Sequence, residues 1–237
     1  MAPAIAQGGI RDTAIPLTAV TLNYAFQLPS MELYERFGWN NNVGLSVGVK
    51  TASNYMFGME VGFIFGNNVI EPGLLRNVRN TYGEILDQEG QVAQVLIYQR
   101  GYQLIAYAAK IINVAGPNPN SGLLLKAGGG YLRHKIRIET QNNVVPQLED
   151  ENLEGYDRLC AGPAALFFAG YQHFGNNRLI NFQVGFEMLV AFTKPLRAFN
   201  FDTEQFTSDT RMDALNGLRF GWTVPIYKRK AERFFTH

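Results

Sequence analysis

Along residues 180 to 193 the side chains of Ile180, Phe182, Val184, Phe186, Met188, Val190 and Phe192 alternate with Asn181, Gln183, Gly185, Glu187 and Thr193. A period of two sustained this long predicts one strand with an apolar and a polar face. A strand crossing a bilayer at a tilt needs about 9 to 11 residues with one side against lipid, and the segment meets that length. The same alternation returns at residues 18 to 28, 43 to 50, 57 to 66 and 218 to 226. Residues 101 to 112, 122 to 138 and 159 to 173 are rich in Tyr, Leu, Ile, Phe and Gly with blurred alternation, and supply three further strands. The expected fold is all-β: a transmembrane antiparallel up-and-down barrel of about eight strands, closed because unpaired edge groups in hydrocarbon cost several kcal/mol each.

The gaps between these segments carry a second pattern. Those at 29 to 42, 67 to 100, 139 to 158 and 194 to 213 are long, and those at 51 to 55, 114 to 120 and 175 to 178 are short. Strict alternation of long and short connections marks long extracellular loops and short periplasmic turns. Ser53-Asn54, Gly116-Pro117-Asn118-Pro119-Asn120 and Gly175-Asn176-Asn177 supply turn chemistry to the short set. The chain divides into an N-terminal segment 1–16, a barrel with its loops over 17–227, and a basic tail 228–237. Ala4-Ile5-Ala6 before Gln7 resembles the end of a signal-peptide cleavage site, so the first segment reads as a signal remnant or a periplasmic lead.

An eight-stranded lumen is narrow enough to be filled by side chains rather than open as a pore. Lys50, Glu60, Lys126, Glu187 and Arg219 all fall on its small, polar face in this register. Buried charges persist only when paired. A luminal network joining both glutamates to Lys126 and Arg219 is therefore expected, as structural glue rather than as a conduction path. Segment 67 to 100 is unusually apolar for a loop, with Val69, Ile70, Leu74, Leu75, Ile85, Leu86 and Val95-Leu96-Ile97. It either packs on the other outer loops as a cap or docks a partner, and Val69, Ile70, Leu74, Leu75, Ile85 and Leu86 are the candidate docking residues. Tyr55, Phe57, Phe174, Trp222 and Tyr227 are girdle candidates on the periplasmic or mid-membrane side. Tyr34, Phe37 and Trp39 take the outer side, or form a carbohydrate-stacking platform.

Composition narrows the remaining choices. Charged residues make up 17% and aromatic residues 13% of the 237 positions, few charges and many rings, as a lipid-facing wall requires. The net charge of +1 gives no sign of nucleic acid, and the single Cys160 permits no internal disulfide. Neither a cofactor nor a metal is implied; Glu149, Asp150, Glu151 and Glu154 cluster as a solvated loop would, with cation binding as the lesser alternative. His134 and His173 are the two candidate bases for a lipid-modifying enzyme, the alternative to a non-enzymatic barrel. A soluble lipocalin-like carrier would put the apolar face inside, against the aromatic density of the outer one.

The blocks running from Met59-Glu60-Val61-Gly62-Phe63 to Val69, Asn118-Pro119-Asn120-Ser121-Gly122, His134-Lys135-Ile136-Arg137-Ile138-Glu139, Gly155-Tyr156-Asp157-Arg158-Leu159, Arg178-Leu179-Ile180-Asn181-Phe182 and Asn200-Phe201-Asp202-Thr203 carry a resemblance. Together they resemble a small outer-membrane β-barrel family of the Bacteroidota, and more loosely the small barrels attached to the type IX secretion system and to the expanded outer-membrane protein assembly complex. What the resemblance implies is a non-enzymatic accessory subunit in the cell outer membrane. Its partners would be other outer-membrane proteins of a multi-subunit complex, the lipid bilayer and lipopolysaccharide. The tail Lys228-Arg229-Lys230, with Phe234 and Phe235 beyond it, is the candidate docking extension.

Overall fold

The computed structural model describes residues 11–141, 144–176 and 180–227. Eight long strands close a barrel: β1 (Leu17–Met31), β2 (Asn40–Lys50), β3 (Tyr55–Gly66), β4 (Gln94–Ile112), β5 (Gly122–Gln141), β6 (Cys160–Phe174), β7 (Asn181–Pro195) and β10 (Arg211–Tyr227). Each pairs antiparallel with its chain neighbour, and β10 returns to β1 from Leu17↔Tyr227 to Met31↔Asp213, so no edge is left open. A short hairpin of β8 (Phe199–Asn200) and β9 (Gln205–Phe206) sits in the last outer loop. Among the described residues no helix is long and apolar enough to cross a membrane.

The barrel is apolar outside and polar at its centre. On β3 the outward Phe57, Met59 and Val61 are each more than half exposed, while Glu60 between them is 2% exposed. A belt of such side chains around a closed sheet is far larger than the apolar patches a soluble monomer shows, and is the lipid-facing band of an outer-membrane barrel. Chain connections agree: loops 32–39, 67–93, 144–159 and 196–210 lie at one end, and turns 51–54, 113–121 and 175–176 at the other.

Three expectations need correction. The outer loops are shorter than the apolar pattern gave, because the strands continue past the lipid band; β4 and β5 run for 19 and 20 residues, and Val95-Leu96-Ile97 belong to β4. Above the band Val95 to Tyr98 of β4 are half-buried on both faces, so alternation no longer marks that strand. The lumen, next, is not polar throughout: Ile105, Ile111, Leu124, Leu132, Leu166 and Leu189 point inward and are almost fully buried. Inward apolar residues on β4 to β6 are what blurred the period of two there. Finally, Phe37 and Phe174 are no girdle residues, since both are wholly buried, under the loops and in the periplasmic end of the lumen respectively. Trp39 stacks on Phe26 at 5.8 Å and Tyr55 on Phe57 at 6.5 Å, both on the outer wall.

Candidate functional site

Four strands bring the central charges together. Glu60 of β3 receives Lys126 of β5 at 3.1 Å and Arg219 of β10 at 3.0 Å, and Arg219 also pairs with Glu187 of β7. Gln27 of β1 donates to the free side of Glu187 at 2.8 Å. None of the four charged groups exceeds 5% exposure. Two acids and two bases balance in a space where an uncompensated ion would cost several kcal/mol. Lys126 also lies over the Tyr107 ring at 4.4 Å, a cation–π contact in an enclosed site. Room for that ring comes from Gly48 and Gly58, where an added Cβ would stand 2.4 and 2.8 Å from the Tyr107 hydroxyl.

Lys50 is not part of this network. It lies four positions nearer the periplasmic end than Ser46, the residue that opposes Glu60. Its ammonium donates to Asn120 Oδ1 at 2.8 Å and to the Ile15 carbonyl at 3.0 Å. Asn120 holds the incoming chain as well, through the Thr13 carbonyl and the Ile15 amide, both at 2.9 Å. Asn118 in the same turn donates to the Phe174 carbonyl at 2.6 Å. Turn 113–121 thus folds under the barrel and closes it, with Leu17, Met56, Ile111, Leu124 and Phe174 packed above.

At the outer mouth the loops form a lid. Leu74, Leu75 and Ile85 of loop 67–93 are buried with Leu33, Phe37, Val145, Leu148 and Tyr156 from the other loops. The docking role expected of Leu74, Leu75 and Ile85 is thereby corrected: loops that dip toward the barrel mouth bury their apolar residues on one another. Val69 is half-buried against the same cluster, whereas Ile70 and Leu86 remain exposed. Ion pairs lace the lid. Glu71 joins Arg36 and Arg158, each at 3.0 Å, and Arg158 reaches Asp202 at 2.6 Å. Arg197 meets Asp157 at 3.1 Å and Glu154 at 2.6 Å, and the hydrogen bond to Asp157 holds its guanidinium further above its usual range.

The two histidines lie in unlike places. His134 is buried under the lid, its Nε2 2.9 Å from Asp213 and the Phe37 ring edge-on at 5.9 Å. His173 is half-buried at the periplasmic end, stacked on Phe182 at 5.0 Å. Tyr34 and Trp39 are exposed while Phe37 is buried, so the three rings do not make one sugar platform. No group of three or more metal-ligating side chains stands together among the described residues. The signal-like Ala4-Ile5-Ala6 and the tail with Lys228, Arg229, Lys230, Phe234 and Phe235 lie outside the described residues, as do Asn177, Arg178 and Leu179. The pairing of His134 with Asp213 and the plug at Asn120 were missed in the sequence; a lone His, Asp or Asn carries no periodic signal.

No protein-family model and no curated protein matches this chain. Among solved structures it is similar to Ail, the attachment invasion locus protein of Yersinia pestis, in complex with the heparin analogue sucrose octasulfate, with TM-score 0.41 and 10% identity over 88% of this chain and 99% of that one. Ail without that analogue gives 0.38 and 12% over 88% and 99%. The outer membrane protein OprG of Pseudomonas aeruginosa gives 0.35 and 10% over 91% and 98%.

Proposed function

We propose that this chain is a sealed outer-membrane barrel that works through its surfaces, as a non-enzymatic accessory subunit of a multi-protein secretion or outer-membrane assembly complex of the Bacteroidota type its sequence resembles. The observation that carries this reading is the filled lumen. It is plugged by turn 113–121 below, by the Glu60–Arg219–Glu187 network at the centre and by the loop lid above. The residual space beside Glu60, Gln103 and Arg219 holds no water-sized volume. A barrel filled in this way acts by what it presents. Outward on the lid stand Tyr82 and Phe206, each more than 80% exposed, with Tyr34, Val92, Ile70 and Leu86, apolar tips suited to a protein partner.

Extraction in mild detergent after expression with an export signal tests the reading. Stoichiometric recovery of secretion or assembly subunits is the expected result; a lone monodisperse barrel would reject it. In planar bilayers the protein is expected to be silent. Glu187→Leu should destabilise the barrel, and a conductance that the wild type has and this folded variant lacks would turn the network into an ion path. The competing reading, an enzyme with His134 or His173 as base, is weakened by the enclosure of His134 beneath Phe37 and by the stacking of His173 on Phe182. His134→Gln and His173→Gln are expected to leave complex recovery unchanged.

A further inference from the structure

The outer wall of β4 and β5 carries charges that neither the lumen nor the lid absorbs. Outward positions Arg133, Lys135 and Arg137 follow one another on β5, and Arg100 on β4 stands directly opposite Lys135. Cations facing each other across a strand pair repel. Their compensation is incomplete. Arg137 pairs with Glu139, and Lys135 has Asp157 only at 3.6 Å, a carboxylate already held by Arg197 at 3.1 Å. Arg100 lies over the Tyr98 ring at 4.7 Å and donates to the Gln99 carbonyl, without a carboxylate. Arg133 has neither an ion pair nor a hydrogen bond among the described residues. The cleft over this wall, about 530 Å³, is lined by five cations and two carboxylates.

Placement tells what the charges face. Arg133 stands eleven residues up β5 from Gly122 at the periplasmic turn, which at about 3.4 Å per residue and a tilt near 40° is roughly 29 Å, just past an apolar band about 25 Å tall. Arg133, Lys135 and the facing Arg100 therefore sit at the upper rim of the lipid band. Beneath them the wall is thin: Ala106, Gly129 and Ala165 share one rung, followed by Ala108, Ala127 and Phe167. A Cβ added at Gly129 would meet nothing closer than the Ala164 carbonyl at 3.9 Å. Lower down the same face opens into an apolar groove of about 610 Å³ between Tyr55, Leu125, Phe167 and Phe186.

We infer that this face seats one anionic lipid of the outer leaflet, with phosphate on Arg100, Arg133 and Lys135 and acyl chains along the Ala106–Gly129–Ala165 groove. The inference rests on the outer-membrane reading but is independent of any protein partner. A phosphorylated, multiply acylated headgroup answers both observations at once: it neutralises the ladder and fills the thinned wall. Free phosphate would answer only the first.

The test is native mass spectrometry of the purified protein in neutral detergent, with bis-phosphorylated lipid A, its dephosphorylated form and inorganic phosphate as probes. One molecule of bis-phosphorylated lipid A should stay bound, and the dephosphorylated form should bind at least tenfold more weakly. Arg100→Gln with Arg133→Gln should weaken binding roughly thirtyfold, at about five- to sixfold per surface cation. Gly129→Phe fills the groove from outside without touching the lumen, and should weaken lipid A but not phosphate. Arg79→Gln, an exposed lid cation away from this face, should change nothing. Folding of each variant is checked by its shift in gel mobility on heating, and Arg133→Gln alone serves if the double variant fails to fold. Equal retention of both lipid A forms, or competition by millimolar phosphate that removes the lipid entirely, would overturn the lipid site. So would unchanged binding in the arginine variants. Complex recovery in the extraction experiment reads the accessory role separately, so the two proposals fail independently.

Discussion

The charged ring in the lumen and the ionic lattice of the lid use the same kinds of side chain in opposite ways. Glu60, Lys126, Glu187 and Arg219 hang from four strands whose register at these positions is fixed by neighbours on both sides. Arg36, Glu71, Arg158 and Asp202 come from loops positioned by no more than the two-residue β8–β9 ladder and single bridges, and Arg36 and Glu71 retain 13% of their side-chain exposure. In the ring the scaffold is rigid and the charges must match it; in the lid the ion pairs and the apolar cluster are themselves the scaffold. Removing one charge should therefore strain the whole barrel in the first region and loosen only the loops in the second.

The largest expected effect breaks the ring. Arg219→Leu leaves Glu60 and Glu187 enclosed with Lys126 alone, and should cost about 3–5 kcal/mol, read as a lower urea midpoint for the detergent-folded barrel. A loss below about 1 kcal/mol would mean that water reaches the ring and that its burial has been misjudged. Replacing Glu60, Lys126, Glu187 and Arg219 together by Leu should recover most of that loss, because apolar groups of similar volume commonly match a buried ion network. In the lid, Arg158→Ala leaves Glu71 and Asp202 short of a partner. It should cost about 1–3 kcal/mol locally, seen as faster proteolysis within 67–93 while the barrel midpoint holds. Ionic strength gives the smallest contrast: at 1 M salt the screening length falls to about 3 Å, so amide exchange in the lid should quicken slightly and that of the ring strands should not.

The ring was legible because a strand fixes each side chain's face by parity alone. Once the strands at 57 to 66 and 180 to 193 were placed, Glu60 and Glu187 had to point inward, and Lys126 and Arg219 were the bases on that face at similar depth. Lys50 obeyed the same parity but not the same depth, which parity does not encode. The lid was legible only as composition. Leu74, Leu75 and Ile85 announce burial without saying against what, since loop contacts such as Arg158 with Glu71 join positions 87 apart by no period. His134 and Asp213 meet across the lumen for a related reason: strands that are not neighbours in the sheet face each other in a barrel, and their meeting depends on tilt and closure.

The extra length of β4 and β5 sets how far the molecule reaches. On β5 the outward residues change from Tyr131 to Arg133 at the lipid boundary, and the strand then continues to Gln141. At about 3.4 Å per residue and a tilt near 40°, that continuation raises the wall roughly 20 Å above the hydrocarbon. The wall at β4 and β5 thus passes stiffly through the headgroup layer, and loop 67–93, which runs onto the raised end of β4, carries Tyr82 at 87% exposure.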